Sequence, residues 1–469
     1  MCGRFVDRIN KSTLVVKRMN PYGTLQGGRT MKLKTAKTLL HQSIKALTDC
    51  KDYFTTKPLK DFSRPGKLPF ELMIQSILCM GAGSLSNEMM DFFGYGEELA
   101  TTSAFVQKRA KILPEAFEYL FAHFTKKFEE SITYRGFQLL AVDGSDFLTA
   151  ANPKDPESYF PGTEGQKPYN LLHLNALYDV VRHVYVDAFL QKRRCADECG
   201  ALVSMTDRSK LKNVLLMADR GYESYNALAH IQEKGWKFLF RIKNGAGGIV
   251  SGLELPKNPV FDVSFTLNLT NKQSNDVKQL LTDKNHYKFI PNTTRFDFLP
   301  KHSKWHDPAV FYPLSFRIVR FPISKDTSET IITNLDADRF PPSELKQLYA
   351  MRWGIETSFR DLKYTVGLQH FHAKKTEFVQ QEIFARLTMY NFYELITQSV
   401  VIQQKSRKYP YKVNFSAAVH ICREFFLRDL TPSRVEALLT KFISPVRHGR
   451  SSPRKLKNKH PFGFTYRVA

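Results

Sequence analysis

The sequence predicts an α/β protein: a mixed β-sheet covered by helices, preceded by a helical N-terminal domain and interrupted by a β-rich insertion before its last helical block. Three observations predict this. Apolar positions recur at helical spacing from Thr35 to about Lys127, strand-like apolar runs cluster between Gly136 and Ile242, and β-type alternation dominates from Asn244 to about Asp336.

A chain of 469 residues exceeds one ordinary core, so two or three domains are expected. Residues 1–35 are basic, contain Gly23, Gly27 and Gly28, and read as a flexible arm. Residues 36–135 read as a helical N-terminal domain, with Phe70, Met73, Ile74, Ile77 and Leu78 on one helix face, then helices over Leu85–Phe93 and Thr102–Leu113. The last two flank Gly94 and Gly96 like a helix-turn-helix. Lys108, Arg109 and Lys111 stand where a recognition helix presents DNA contacts, and a merely solvated basic face is the alternative.

From Gly136 the texture changes. Phe137–Val142 is an apolar run ending at Asp143-Gly144, followed by runs at His173–Tyr178 and His183–Leu190. Then come Val214–Ala218 ending at Asp219, a helical stretch Ser224–Lys234, and Phe238–Ile242. Three strands followed by strand, helix, strand is the order of a ribonuclease-H-like core, placed here over 136–243 and 337–400. The β-rich insertion occupies 244–336, with runs at Val260–Leu269, Tyr287–Ile290, Phe316–Ile323 and Thr330–Leu335. A helical pattern resumes with Ser343 as the expected N-cap and continues to about Leu439. Residues 401–469 form a basic C-terminal region.

A formal charge of +24 is large enough to attract a polyanion at long range. Half of it lies in residues 401–469, which carry 15 basic and 3 acidic side chains, including Arg447, Arg450, Arg454, Lys455, Lys457 and Lys459. Direct DNA contact and a solvated tail are both open for that run. The six cysteines lack zinc-ribbon spacing and no stretch is apolar enough to span a bilayer, so a cytoplasmic protein without membrane contact is expected. No GxxxxGK[ST] loop, nucleophile elbow or Cys-His pattern competes for the chemistry.

That chemistry centres on carboxylates. Tyr349, Arg352, Glu356 and Lys363 fall at i, i+3, i+7 and i+14, within roughly a 60° arc of an ideal helix. Leu345, Leu348, Ile355, Phe359 and Leu362 form an adjoining apolar stripe. The polar face reads either as a phosphate and metal site or as a surface salt-bridge ladder. Asp143 and Asp219 each end an apolar run, where a side chain projects from a sheet edge. Each also has an ordinary reading, Asp143-Gly144 as a turn and Asp219 as a helix cap. Asp146, Asp187 and Asp207 lie near strand ends too. Phosphodiester cleavage needs hard cations, for which three carboxylates are suitable ligands.

At these residues the sequence resembles the insertion-sequence-four family of DDE transposases, whose signature is Y-x2-R-x3-E-x6-K. Tyr349-x2-Arg352-x3-Glu356-x6-Lys363 matches it throughout, and Ala141-Val-Asp143-Gly and Ala218-Asp219-Arg-Gly-Tyr222 are similar to the family's other two motifs. The resemblance implies that Asp143, Asp219 and Glu356 are catalytic and hold two Mg²⁺ ions, with Mn²⁺ as a substitute. It implies phosphate contacts for Tyr349, Arg352 and Lys363, and a β-strand insertion between the second Asp and the Glu, which here lie 137 positions apart.

By the same resemblance the partners are double-stranded DNA, as transposon ends and target, and a second copy of the chain in a homodimeric paired-end complex. A hairpin on the flanking strand also follows from it. The family's base-stacking tryptophan does not carry over: Glu329 and Thr330 stand near its place, and Trp305 comes much earlier. The expected function is end binding, strand cleavage and strand transfer for a bacterial insertion sequence. A catalytically inactive or domesticated DNA-binding protein is the alternative, and a plain metal-dependent nuclease is a third reading.

Overall fold

Five helices open the fold, α1 (Leu33–Asp49), α2 (Phe70–Cys79), α3 (Leu85–Phe93), α4 (Thr102–Arg109) and α5 (Glu115–Lys126), each with an apolar face except α4, whose buried positions are Phe105 and Arg109. The computed structural model describes residues 32–446 except 97–98, 129–132, 164–165, 244–247, 302–306, 324–327 and 404–407, together with 25–26 and 465–466. In α1, Leu33, Ala36, Leu40, Ile44 and Leu47 recur at helical spacing and are buried. Ser84 accepts from the Asn87 N–H to start α3, and Gly94, at φ 79°, ends it in the left-handed conformation that glycine adopts without strain. Thr101 caps α4 in the same way. Two short strands, β1 (Leu25–Gln26) and β2 (Thr133–Tyr134), pair beside this helical layer.

A ten-stranded sheet follows. Its first part contains β3 (Gln138–Thr149), β4 (Tyr159–Phe160), β5 (Tyr169–Asp179), β6 (Val184–Lys192), β7 (Val214–Ala218) and β8 (Lys237–Arg241). Helix α6 (Glu198–Arg208) precedes β7, and α7 (Tyr225–Glu233), capped by Ser224, links β7 to β8. Numbering β3, β5, β6, β7 and β8 one to five, the spatial order is three-two-one-four-five. Strand β3 is antiparallel to β5 and parallel to β7, which is parallel to β8.

The later strands continue the same sheet. They are β9 (Phe261–Thr270), β10 (Tyr287–Phe289), β11 (Tyr312–Pro322) and β12 (Ser328–Thr333), with helix α8 (Asn275–Leu280) between β9 and β10. Strand β12 pairs antiparallel with β8, so the ladder runs on through β11 and β9 to β10 without a break. Leu139 and Ala141 of β3 enter one core while Leu140 and Val142 enter the other, as strand alternation requires.

The first of these cores is closed by α9 (Pro342–Met351), α10 (Trp353–Arg360) and α11 (Thr376–Ser399). The apolar stripe expected on the first two is buried throughout: Leu345, Leu348, Ile355, Phe359 and Leu362 are at most 5 % exposed. Ser343, expected as N-cap, lies one residue inside the helix. Pro341 takes the cap position and Pro342 the first turn, where a missing N–H costs nothing. Helix α11 is buried almost all round, yet its middle carries Gln381, Glu382, Arg386, Asn391 and Glu394. Helices α12 (Phe415–Leu427) and α13 (Pro432–Lys441) complete the layer. Among the described residues no helix is long and apolar enough to cross a membrane.

Candidate active site

Strand register brings the two aspartates together. Strands β3 and β7 pair from Gln138↔Val214 to Ala141↔Met217, and two residues further on the same offset sets Asp143 level with Asp219. Adjacent strands lie about 4.8 Å apart. By alternation both side chains point to the face that α9 and α10 cover, because Leu139, Ala141, Leu215 and Met217 all belong to that core. The turn reading of Asp143-Gly144 is overturned: β3 runs straight through both to Thr149. Asp219 does cap, its carboxylate accepting from the Gly221 N–H to start the 3₁₀ turn Arg220–Tyr222.

Glu356 reaches the same place from α10. Its Oε1 lies 2.9 Å from Arg352 Nη2, and Arg352 Nη1 stands 3.8 Å from Asp143. One guanidinium, 5 % exposed at its side chain, therefore faces two of the three carboxylates. Burial pushes the Asp143 carboxyl up to about 6; the Gly144 N–H and Arg352 oppose the rise, while Asp219 and Glu356 reinforce it. Among the described residues no three His, Cys, Asp or Glu side chains form a preassembled metal cluster, and the Arg352 guanidinium stands between Asp143 and Glu356.

The remaining residues of the motif divide. Tyr349 is 3 % exposed, with its hydroxyl buried and lacking a hydrogen-bond partner, and Arg352 lies over its ring. Lys363 sits on a π turn, Asp361–Thr365, which closes with Val366 N donating to Asp361 O. That wider turn breaks the uniform helix on which a shared polar arc rests. The Lys363 ammonium stands 4.9 Å from the Phe147 ring centroid, further along β3 than Asp143. Burial lowers its pKa, and Asp146 draws it back up.

In the N-terminal helices, Arg109 departs from expectation. It is 1 % exposed, and its guanidinium bonds Gln381 Oε1, Glu382 Oε1 and the Phe378 carbonyl. It fastens α4 to α11 and does not face solvent. Lys108 lies over the Phe62 ring, and Lys111 pairs with Asp61 at 2.9 Å. Asp187 pairs with Arg208 and Asp207 with His230, both away from the aspartate pair. Glu329 pairs with Arg241. Trp305, Arg447, Arg450, Arg454, Lys455, Lys457 and Lys459 lie outside the described residues.

A second charged group was missed in the sequence. On the reverse face, His173 Nδ1 lies 2.6 Å from Asp146 and Nε2 lies 3.2 Å from Glu198, the first residue of α6. Burial works to lower the His173 pKa, but the two carboxylates overcome it and push it up to about 9. Helix α6 was itself unassigned, although Asp197 followed by Ala201, Leu202 and Met205 carries a cap and helical spacing. No sequence signal joins His173 to Glu198.

Residues 134–392, more than half of the chain, match the family model described as the transposase DDE domain. The chain belongs to the DDE transposases. It is 21 % identical over 420 residues to transposase InsG for insertion sequence element IS4 of Escherichia coli strain K12, covering 84 % of this chain and 87 % of that protein. Within the DDE transposases the chain is thus of the insertion-sequence-four type. Among solved structures it is similar to a piggyBac transposase synaptic complex with hairpin DNA, at TM-score 0.41 and 9 % identity, covering 90 % of this chain and 87 % of that one.

Proposed function

We propose that this transposase binds the terminal inverted repeats of a bacterial insertion sequence, cleaves at the element's ends and transfers the freed strand to target DNA. Asp143, Asp219 and Glu356 are the catalytic carboxylates. The observation that carries this is the convergence of two strands and one helix: Asp143 and Asp219 share a level and a face, and Arg352 ties Glu356 to Asp143. The three-two-one-four-five strand order supports a ribonuclease-H-like core over 136–243 and 337–400, with the 244–336 insertion extending its sheet. Residues 36–135 and the basic region 401–469 then serve DNA binding, with Lys108 and Lys111 as contacts.

An all-oxygen donor set suits hard divalent cations. Asp143, Asp219 and Glu356 would hold two Mg²⁺ ions, with Mn²⁺ as a substitute. Held by these residues, such ions would supply charge neutralisation at the phosphate and activation of water or a 3′-hydroxyl as nucleophile. The chain's own part is positioning. Arg352 gives up one carboxylate to meet a phosphate, Lys363 approaches the strand further along β3, and Tyr349 supports the Arg352 guanidinium from beneath. Two protomers, each engaging one end, form the paired complex.

The test is a cleavage assay on DNA carrying the element's terminal repeats, with Mg²⁺. Glu356→Gln is expected to bind ends like the wild type and leave them uncut. Undiminished cutting by that variant removes Glu356 from the site, and wild-type protein that binds without nicking is a regulator.

A further inference from the structure

Beyond Ala141 the catalytic strand loses its neighbour on one side. Strand β7 ends at Ala218, so from Asp143 to Thr149 the described ladder holds β3 only through β5. Something else must set how far Asp143 stands from the turn that carries Asp219. The reverse face of the sheet holds two links suited to this. His173, opposite Asp146 in the register, reaches from β3 to Glu198. Glu198 in turn packs over the Asp219 turn, its Oε2 3.4 Å from where a side chain on Gly221 would begin. Asn175, opposite Gly144 and fully buried, accepts a hydrogen bond from the hydroxyl of Tyr222 in that same turn.

We propose that His173 is a positioning residue of the transposase, clamping β3 to α6 so that Asp143 and Asp219 stay level with one another for the divalent cations they would share. Gly144 is part of the device, since any Cβ there would lie 2.5 Å from His173 Nε2. The two ends differ: Nδ1 hydrogen-bonds Asp146 at 2.6 Å, whereas Nε2 faces Glu198 at 3.2 Å as an ion pair outside hydrogen-bond geometry. Groups that orient metal ligands from behind typically govern affinity by about 10–100-fold. Arg193, 3.1 Å from Asp146, steadies the outer end of the cluster.

This inference rests on the metal-holding role given above to the three carboxylates. Binding of Mn²⁺ to the full-length protein, read by electron paramagnetic resonance without DNA, tests it together with end binding in metal-free buffer. His173→Ala is expected to weaken Mn²⁺ binding by about 10–100-fold while metal-free end binding stays within about twofold; His173→Gln, which reaches one carboxylate, recovers part of the loss. Wild-type Mn²⁺ affinity in a folded His173→Ala protein overturns the inference. Should that variant not fold, Glu198→Gln, at a half-exposed position, takes its place and must show the same loss. Glu356→Gln is the control: if it loses Mn²⁺ while His173→Ala keeps it, the clamp fails and the metal site stands. If neither loses Mn²⁺, the metal site itself fails.

Discussion

Arg352, at the junction of α9 and α10, holds Glu356 one turn further on at 2.9 Å, with its guanidinium almost wholly out of solvent. An exposed pair at this spacing contributes only a few tenths of a kcal/mol. Here the pair sits against Asp143 and over the Tyr349 ring, so its value lies in preorganisation. Arg352→Ala is expected to lower the rate of end cleavage by about 10²-fold, the usual cost of one transition-state donor. Arg352→Lys keeps the charge without the fork and should fall between. Single-turnover cleavage on pre-bound ends measures both.

Lys363→Ala should leave the thermal melting curve nearly unchanged, because the ammonium makes a cation–π contact with Phe147 at the margin of the fold. End binding in a gel-shift titration should weaken, and cleavage with it. Full activity in that variant means Lys363 belongs to a surface ladder.

The basic residues of α4 should behave differently from one another. Arg109→Ala leaves the buried Glu382 carboxylate to His372 and Arg386 alone and removes the donor from Gln381 and the Phe378 carbonyl, at an expected cost of about 3 kcal/mol in chemical denaturation. Lys108→Ala should stay within about 0.5 kcal/mol yet lower DNA affinity and reduce the salt dependence of binding by about one charge. Equal DNA binding by Lys108→Ala and wild type would remove this helix from the interface.

Glu382 also sets an acid limit. Burial raises its pKa, but Arg109, His372 and Arg386 outweigh that and hold it at about 2, against an ordinary 4.5. As pH falls the unfolded chain takes up the proton first. The stability this carboxylate contributes is therefore complete above about pH 4.5 and lost progressively toward pH 2. Glu382→Gln should flatten that limb of the stability profile while lowering stability at neutral pH, both read from denaturant midpoints.

Gly144→Ala should lose about 1–3 kcal/mol by forcing a methyl into the His173 ring. The double variant Gly144→Ala, His173→Ala should regain most of that stability without regaining activity. A single variant as stable as wild type would mean that the ring moves aside freely.

Local periodicity made much of this architecture legible. Helices α2 and α3 and strand β7 lie where their apolar spacing puts them, and the Leu345–Leu362 stripe is buried as its arc requires. The failures share a physical cause, which is dependence on residues far away in sequence. Asp143-Gly144 has turn composition, but β5 pairs with it from Ala176 and Asn175 and keeps it extended. Arg109 looks like a surface cation until α11, some 270 residues on, supplies Glu382. The α/β alternation was clear, whereas the joining of β12 to β8 was not, since pairing leaves no mark on either strand alone.

That pairing sets the timetable of folding. Phe240 of β8 meets Ile332 of β12, so one edge of the newly made central strands waits until some ninety further residues have left the ribosome. An open strand edge of this kind invites association with other chains. Copies of the element whose reading frame stops inside the insertion should thus yield aggregating polypeptide, subject to rapid proteolysis, and not a stable half-protein able to occupy the ends and block its intact relatives.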